Sequence, residues 1–147
     1  MTRRGWLAAS VLGLAVLAAF PAAARAAPIP VRIRIIKGSR QGPPSLDPRL
    51  SDLASQLGHL AYQRWEQVGE QRADMDPGKS VSVPLPAGGS LQLKLVEVRG
   101  DTATFEVRLP ASRGVSRLTI SKDQRIVHQV ADEKAGEAYF ATVRPWP

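Results

Sequence analysis

The sequence predicts a mainly β fold: an antiparallel β-sandwich or half-open barrel with one packed amphipathic helix, bordering on α+β, behind a signal peptide. Three observations carry this. First, three runs alternate strictly between apolar and polar residues. Val81, Val83 and Leu85 alternate with Ser80, Ser82 and Pro84; Leu91, Leu93 and Leu95 with Gln92 and Lys94; Ala103, Phe105, Val107 and Leu109 with Thr104, Glu106 and Arg108. This is the period of a strand with one buried and one wet face. Second, Pro86-Ala87-Gly88-Gly89 and Arg99-Gly100-Asp101 join the runs as turns, which makes them an antiparallel meander. Third, beyond residue 26 a single stretch carries a sustained helical period.

In chain order, residues 1–26 read as a cleaved signal peptide. Arg3 and Arg4 form a positive start, Trp6 to Phe20 is an uncharged apolar run, and Ala24-Arg25-Ala26 supplies the small residues of a processing site. The run is about 15 residues, short of the ~20 that a spanning helix needs, which favours cleavage over a retained anchor. The paired arginines echo a twin-arginine signal, and ordinary Sec leaders carry such pairs too, so a Sec-type leader is favoured.

Residues 27–144 then form one β-rich domain. Val31 to Ile35 alternates and is the first strand, with Arg32 and Arg34 on one face. Asp47-Pro48 opens the helix, Asp as N-cap and Pro at the first helical position. Leu50, Leu53, Ala54, Leu57, Leu60 and Ala61 continue it as one apolar stripe, so the helix is expected near 47–61, lying across a sheet. Residues 62–75 fit either a continued helix or a polar strand. The strand is favoured, because Asp76-Pro77-Gly78 would close a hairpin with Ser80 to Leu85. Arg117 to Ser121, Ile126 to Val130 and Ala138 to Val143 complete the strands. Residues 145–147, with two prolines, are expected to be a tail.

Composition excludes some chemistry. The chain has no cysteine, hence neither a disulfide nor a lipid-modified N-terminal cysteine, and no asparagine, hence no N-glycosylation site. The formal charge is +7; without Arg3, Arg4 and Arg25 it is +4, with 17 basic and 13 acidic side chains. That balance lacks the clustered Lys and Arg of a nucleic-acid footprint, so no nucleic-acid partner is expected.

Each motif's chemistry needs a particular structural context. Ala73 to Ser80 has the loose spacing of a phosphate loop, but Ser80 opens a strand, not a helix, so Gly78 reads as a turn residue with positive φ. Arg99-Gly100-Asp101 spells an adhesion tripeptide and also the chemistry of a tight hairpin turn. Asp74-x-Asp76 fails as a calcium loop, because Gly78 falls where a ligand is needed. His59 and His128, the only histidines, have no metal-ligand spacing, and no nucleophile elbow is evident; Glu66, Glu70, Glu97 and Glu106 could pair as glycosidase carboxylates, but 5 % aromatic residues leave little for a sugar-stacking cleft. No catalytic residue, metal or cofactor is therefore assigned. The most usable feature is Arg32, Arg34, Lys37 and Arg40, in a segment with no acidic residue before Asp47. It is a candidate patch for an anionic partner such as a lipid headgroup, a phosphorylated glycan or an acidic envelope protein. The bland alternative is a wet strand face whose arginines discourage edge pairing.

Asp47-Pro48-Arg49-Leu50 opening a helix, followed by Leu85-Pro86-x-Gly88-x-x-Leu91 within a meander and behind a leader, resembles a group of small exported proteins of Gram-negative bacteria. The meander is also similar to β-regions of outer-membrane secretins, without the length for a pore. The resemblance implies export and a β fold, and it carries no activity, cofactor or catalytic residue. The expected function is an exported, non-catalytic binding or accessory module of the bacterial envelope, periplasmic or secreted. A small envelope hydrolase with a Ser/His or carboxylate centre, and a structural or adhesive protein, are the alternatives.

Overall fold

A computed structural model describes residues 27–110 and 114–147. The expected signal peptide lies outside the described residues. The chain forms β1 (Ile29–Ser39), β2 (Ser45–Leu46), a 3-10 turn (Pro48–Leu53) running into the helical turn α1 (Ala54–Leu57), and β3 (Arg64–Met75). Then follow β4 (Ser80–Pro84), β5 (Ser90–Arg99), β6 (Thr102–Arg108), β7 (Val115–Ser121), β8 (Val127–Lys134) and β9 (Glu137–Pro145). One sheet has the order β2-β3-β1-β9-β8, the other β4-β5-β6-β7. Neither is closed into a barrel; the fold is a mainly β, sandwich-like pair of open sheets with one short helix.

The alternating runs set the main core. Val31, Ile33 and Ile35 of β1 meet Leu91, Leu93 and Leu95 of β5 and Phe105 and Val107 of β6 in one buried cluster between the sheets. A second cluster lies on the outer face of the first sheet. There Leu50, Leu53 and Leu57 of the helical turn cover Ile36, Trp65 and Phe140. β1 is thus covered on both faces and paired on both sides, by β3 and by β9. This explains why its alternation ends in the apolar pair Ile35-Ile36, one residue for each cluster. The ladder with β3 slips at Ile35/Ile36, leaving Val68 as an extra residue on β3.

The meander of β4, β5 and β6 forms as expected, and β7 adds a fourth strand. Residues 64–75 are strand, the favoured alternative. The expected hairpin with Ser80 to Leu85 does not form, because β3 and β4 belong to different sheets. Asp76-Pro77-Gly78 instead carries the chain across the sandwich, with Gly78 at φ 93°.

Two further expectations are corrected. The helix is shorter than 47–61: six residues are 3-10 and four are α-helical. Asp47 does cap it, its carboxylate accepting from the Arg49 N–H at 3.0 Å. The apolar stripe stops being buried after Leu57, with Leu60 37 % exposed. Gly58, a poor helix former, ends the turn there. The tail also begins later than residue 145. Pro145 stands opposite Val31 inside the ladder, and the Trp146 N–H donates to the Pro30 carbonyl at 2.9 Å. That bond puts Pro145 at the alternate position, where the antiparallel ladder asks for no N–H, so its missing donor costs nothing.

Candidate functional site

The outer face of the first sheet changes character along β1. Beneath the helical turn it is apolar. Toward the start of β1 it becomes cationic, because register sets arginines side by side. Arg32 stands opposite Arg72 of β3 and opposite Arg144 of β9. Cα atoms of paired residues lie about 4.5 to 5.5 Å apart, so three guanidinium arms are rooted within about 10 Å on one face. In the next row Arg34 stands opposite Glu70 and Thr142.

Arg34 is 3 % exposed and fully engaged at its tip. Its two Nη atoms donate to the Asp52 carboxylate at 3.0 and 2.8 Å, and Nη1 also to the Arg49 carbonyl at 3.0 Å. Asp52 belongs to the 3-10 turn, so this bidentate pair clamps the turn to the sheet. The hydrogen bonds from Arg34 hold the Asp52 carboxyl below the usual range. Arg125 reaches the same carboxylate at 3.4 Å, and the Gln56 side chain donates to the Arg125 carbonyl at 2.6 Å. On β3, Glu70 accepts from Arg72 Nε at 3.0 Å and from Gln67 Nε2 at 3.2 Å, and is likewise held below the usual range, chiefly by Arg72.

Arg32 and Arg144 have no such answer. Neither makes a salt bridge or hydrogen bond through its side chain among the described residues, and the Nε atom of each is enclosed without a partner, as Arg34 Nε and Arg125 Nη1 also are. Both are half-buried, whereas Arg72 is 68 % exposed. Burial, and then the neighbouring charges of Arg34, Arg144 and Arg72, push the Arg32 guanidinium below its ordinary pKa, with Glu70 opposing. Like charges directly opposite one another in a sheet are destabilising, and a half-desolvated cation without a partner adds to that. Five guanidiniums, Arg32, Arg34, Arg72, Arg125 and Arg144, share this face with three carboxylates, Asp52, Glu70 and, in the row before Arg72, Asp74, an excess of two positive charges. The arrangement is a ready receptor for an anion.

The sequence-derived patch of Arg32, Arg34, Lys37 and Arg40 is divided by the fold. Arg32 lies in the row and Arg34 beneath its edge. Lys37 points from the opposite face of β1 and lies between Glu66 at 3.4 Å and Glu137 at 3.9 Å. Arg40, in the following loop, pairs with Glu133, donates to the Ala61 carbonyl at 3.2 Å and stacks over the Tyr62 ring at 4.9 Å. Nor is the arginine-bearing strand an edge: β1 is central. Arg72 and Arg144, which complete the row, escaped sequence reasoning. They lie 40 and 112 positions beyond Arg32, and only strand register brings them together.

The remaining motifs settle into local roles. Lys79 of the phosphate-loop-like segment donates to the Asp74 carbonyl at 2.9 Å, and Gly100 of the adhesion-like tripeptide turns at φ 55°. His59 is exposed. His128 faces a small cavity between the sheets lined by Leu91, Val107, Leu118, Ile120, Ala141 and Val143 among others. A cleft of about 920 Å³ at one end of the sandwich is lined by Leu85, Val130, Glu133, Glu137 and Tyr139 among others, and among the described residues its wall holds neither serine nor histidine. Among the described residues no three His, Cys, Asp or Glu side chains are grouped to hold a metal ion, and no helix is long and apolar enough to cross a membrane. No family model matches the chain, and neither a curated protein nor a solved structure matches it.

Proposed function

We propose that this protein is an exported, non-catalytic binding or accessory module of the bacterial envelope, periplasmic or secreted, and that it works through a surface. The observation that carries the reading is the row Arg72, Arg32 and Arg144: three like charges abreast, two of them half-buried and unanswered. A sheet held together by its own core has no internal use for such a row, and places where structure is kept at a cost to stability are where function concentrates. The leader-like residues 1–26 support export. The apolar wall around His128 supports surface action over hydrolysis, since a nucleophilic centre needs a base within reach of a hydroxyl and a carboxylate. The partner is an envelope protein with an acidic face, or an anionic glycan or lipid headgroup.

The test is cell fractionation followed by cross-linking of the tagged protein in place, with wild type beside the double variant Arg32→Glu/Arg144→Glu. The expected result is recovery outside the cytoplasm and a reproducible partner that the double variant loses. Retention in the cytoplasm, or a partner captured equally by both proteins, refutes the proposal.

A further inference from the structure

Resting on the surface reading above, we infer that Arg32 and Arg144 form a site for a phosphate monoester, with Arg72 as the outer wall of that site. The argument is one of charge and shape. Every other guanidinium on this face has a carboxylate beside it: Arg34 and Arg125 share Asp52, and Arg72 has Glu70. Two arginines remain without an acidic partner of their own, on neighbouring strands and in the same row. A phosphate monoester carries about −1.5 to −2 charge at neutral pH and offers three terminal oxygens. Two guanidinium forks match that ligand in charge and in donor geometry, since each delivers parallel N–H bonds to a pair of oxygens. A carboxylate or a phosphodiester brings a single charge, which leaves one half-buried cation still unanswered.

Burial grades the site in the same sense. Arg32 and Arg144 are half-buried, so their charges are less screened than those of exposed arginines such as Arg99, whose side chain is 81 % exposed. Arg72 is mostly open, and its Nε is held by Glu70 at 3.0 Å, so its Nη atoms remain to close over a ligand seated on Arg32. Arg34, locked below by its bidentate pair, contributes potential without contact. The row lies on a central strand fixed on both sides, which sets the spacing of the forks before any ligand arrives.

Isothermal titration of the purified protein with glycerol 3-phosphate, dimethyl phosphate and acetate is the direct test. The monoester is expected to bind at least tenfold more tightly than either single-charge anion. Arg32→Gln and Arg144→Gln should each weaken it at least tenfold, and Arg99→Gln less than twofold. Arg32→Lys, which keeps the charge and loses the fork, should fall between wild type and Arg32→Gln; circular dichroism on every variant establishes that it has folded. Co-sedimentation with phosphatidic acid vesicles, against phosphatidylglycerol vesicles, separates the sources. Capture by the former alone, lost in Arg32→Gln, assigns the monoester to a lipid headgroup. Binding of glycerol 3-phosphate without vesicle capture assigns it to a water-borne phosphorylated compound. Equal affinity for glycerol 3-phosphate and dimethyl phosphate, or undiminished monoester binding in both glutamine variants, overturns the inference. If heparin is retained through Arg32 and Arg144 while the monoester is not, the inference falls and the anionic-surface reading stands; if neither binds, both fall.

Discussion

Arg34 and Arg32 sit two residues apart on the same face of β1 and solve the burial of a cation in opposite ways. Arg34 has a bidentate carboxylate, and removing that partner would strand a charge that is 3 % exposed. Asp52→Ala should therefore cost about 3 kcal/mol, the lower end for a broken buried pair because Asp52 is partly open to water; urea unfolding at neutral pH measures it. The same pair sets an acid limit. The folded-state pKa of Asp52 lies below its ordinary value of 3.8, so its contribution is fully present above that value and is lost as pH falls through the lower folded one. The stability gap between wild type and Asp52→Asn should shrink below about pH 4 and stay constant from pH 5 to 7. Arg32 is the converse case. In the ligand-free protein, Arg32→Gln removes a like charge from between Arg72 and Arg144, and the melting temperature should rise by about 1–4 °C. A fall of several degrees would mean that the Arg32 side chain serves packing instead.

At the scale of elements, the short helical turn and β1 depend on each other. Leu50, Leu53 and Leu57 are fully buried against Ile36, Trp65 and Phe140, whereas Leu60 is not. Leu57→Ala should cost about 2–5 kcal/mol in chemical unfolding and Leu60→Ala under about 0.5, which locates the functional end of the helix. Gly38 serves the same contact: a Cβ there would come within 2.8 Å of the Trp65 ring. Gly38→Ala is expected to cost about 1–3 kcal/mol and to shift Trp65 fluorescence, since the indole must move. The strands of the meander were legible in the sequence because alternation is a local signal that burial of one face enforces. The helix was overextended because Leu60 and Ala61 keep the spacing without being buried, and spacing alone cannot say where the covered surface ends. The partners of β3 were hidden for a related reason: Asp76-Pro77-Gly78 announces a reversal of the chain, and a reversal serves a crossing between sheets as well as a hairpin within one.

For the whole molecule, two open sheets cover each other and the helical turn covers part of the remaining face, leaving the cationic part open to solvent. The site was only partly legible because it belongs to this level. Arg32 carried a local signal, a basic segment free of acidic residues, whereas its relation to Arg72 and Arg144 exists only once three strands have found their register. The same level divided the original patch, since Glu66, Glu133 and Glu137, distant in sequence, arrive to neutralise Lys37 and Arg40. The position of β1 has a further consequence for how the protein behaves in time. With a neighbour on either side and apolar cover above and below, the backbone amides of Ile33 to Ile36 should be the last to exchange with deuterium, opening only when the entire chain unravels. The guanidinium at Arg32 is then moored to the stillest ground in the molecule. Capture of a guest should be limited by diffusion and leave amide exchange elsewhere untouched, like a key entering a lock that is already cut.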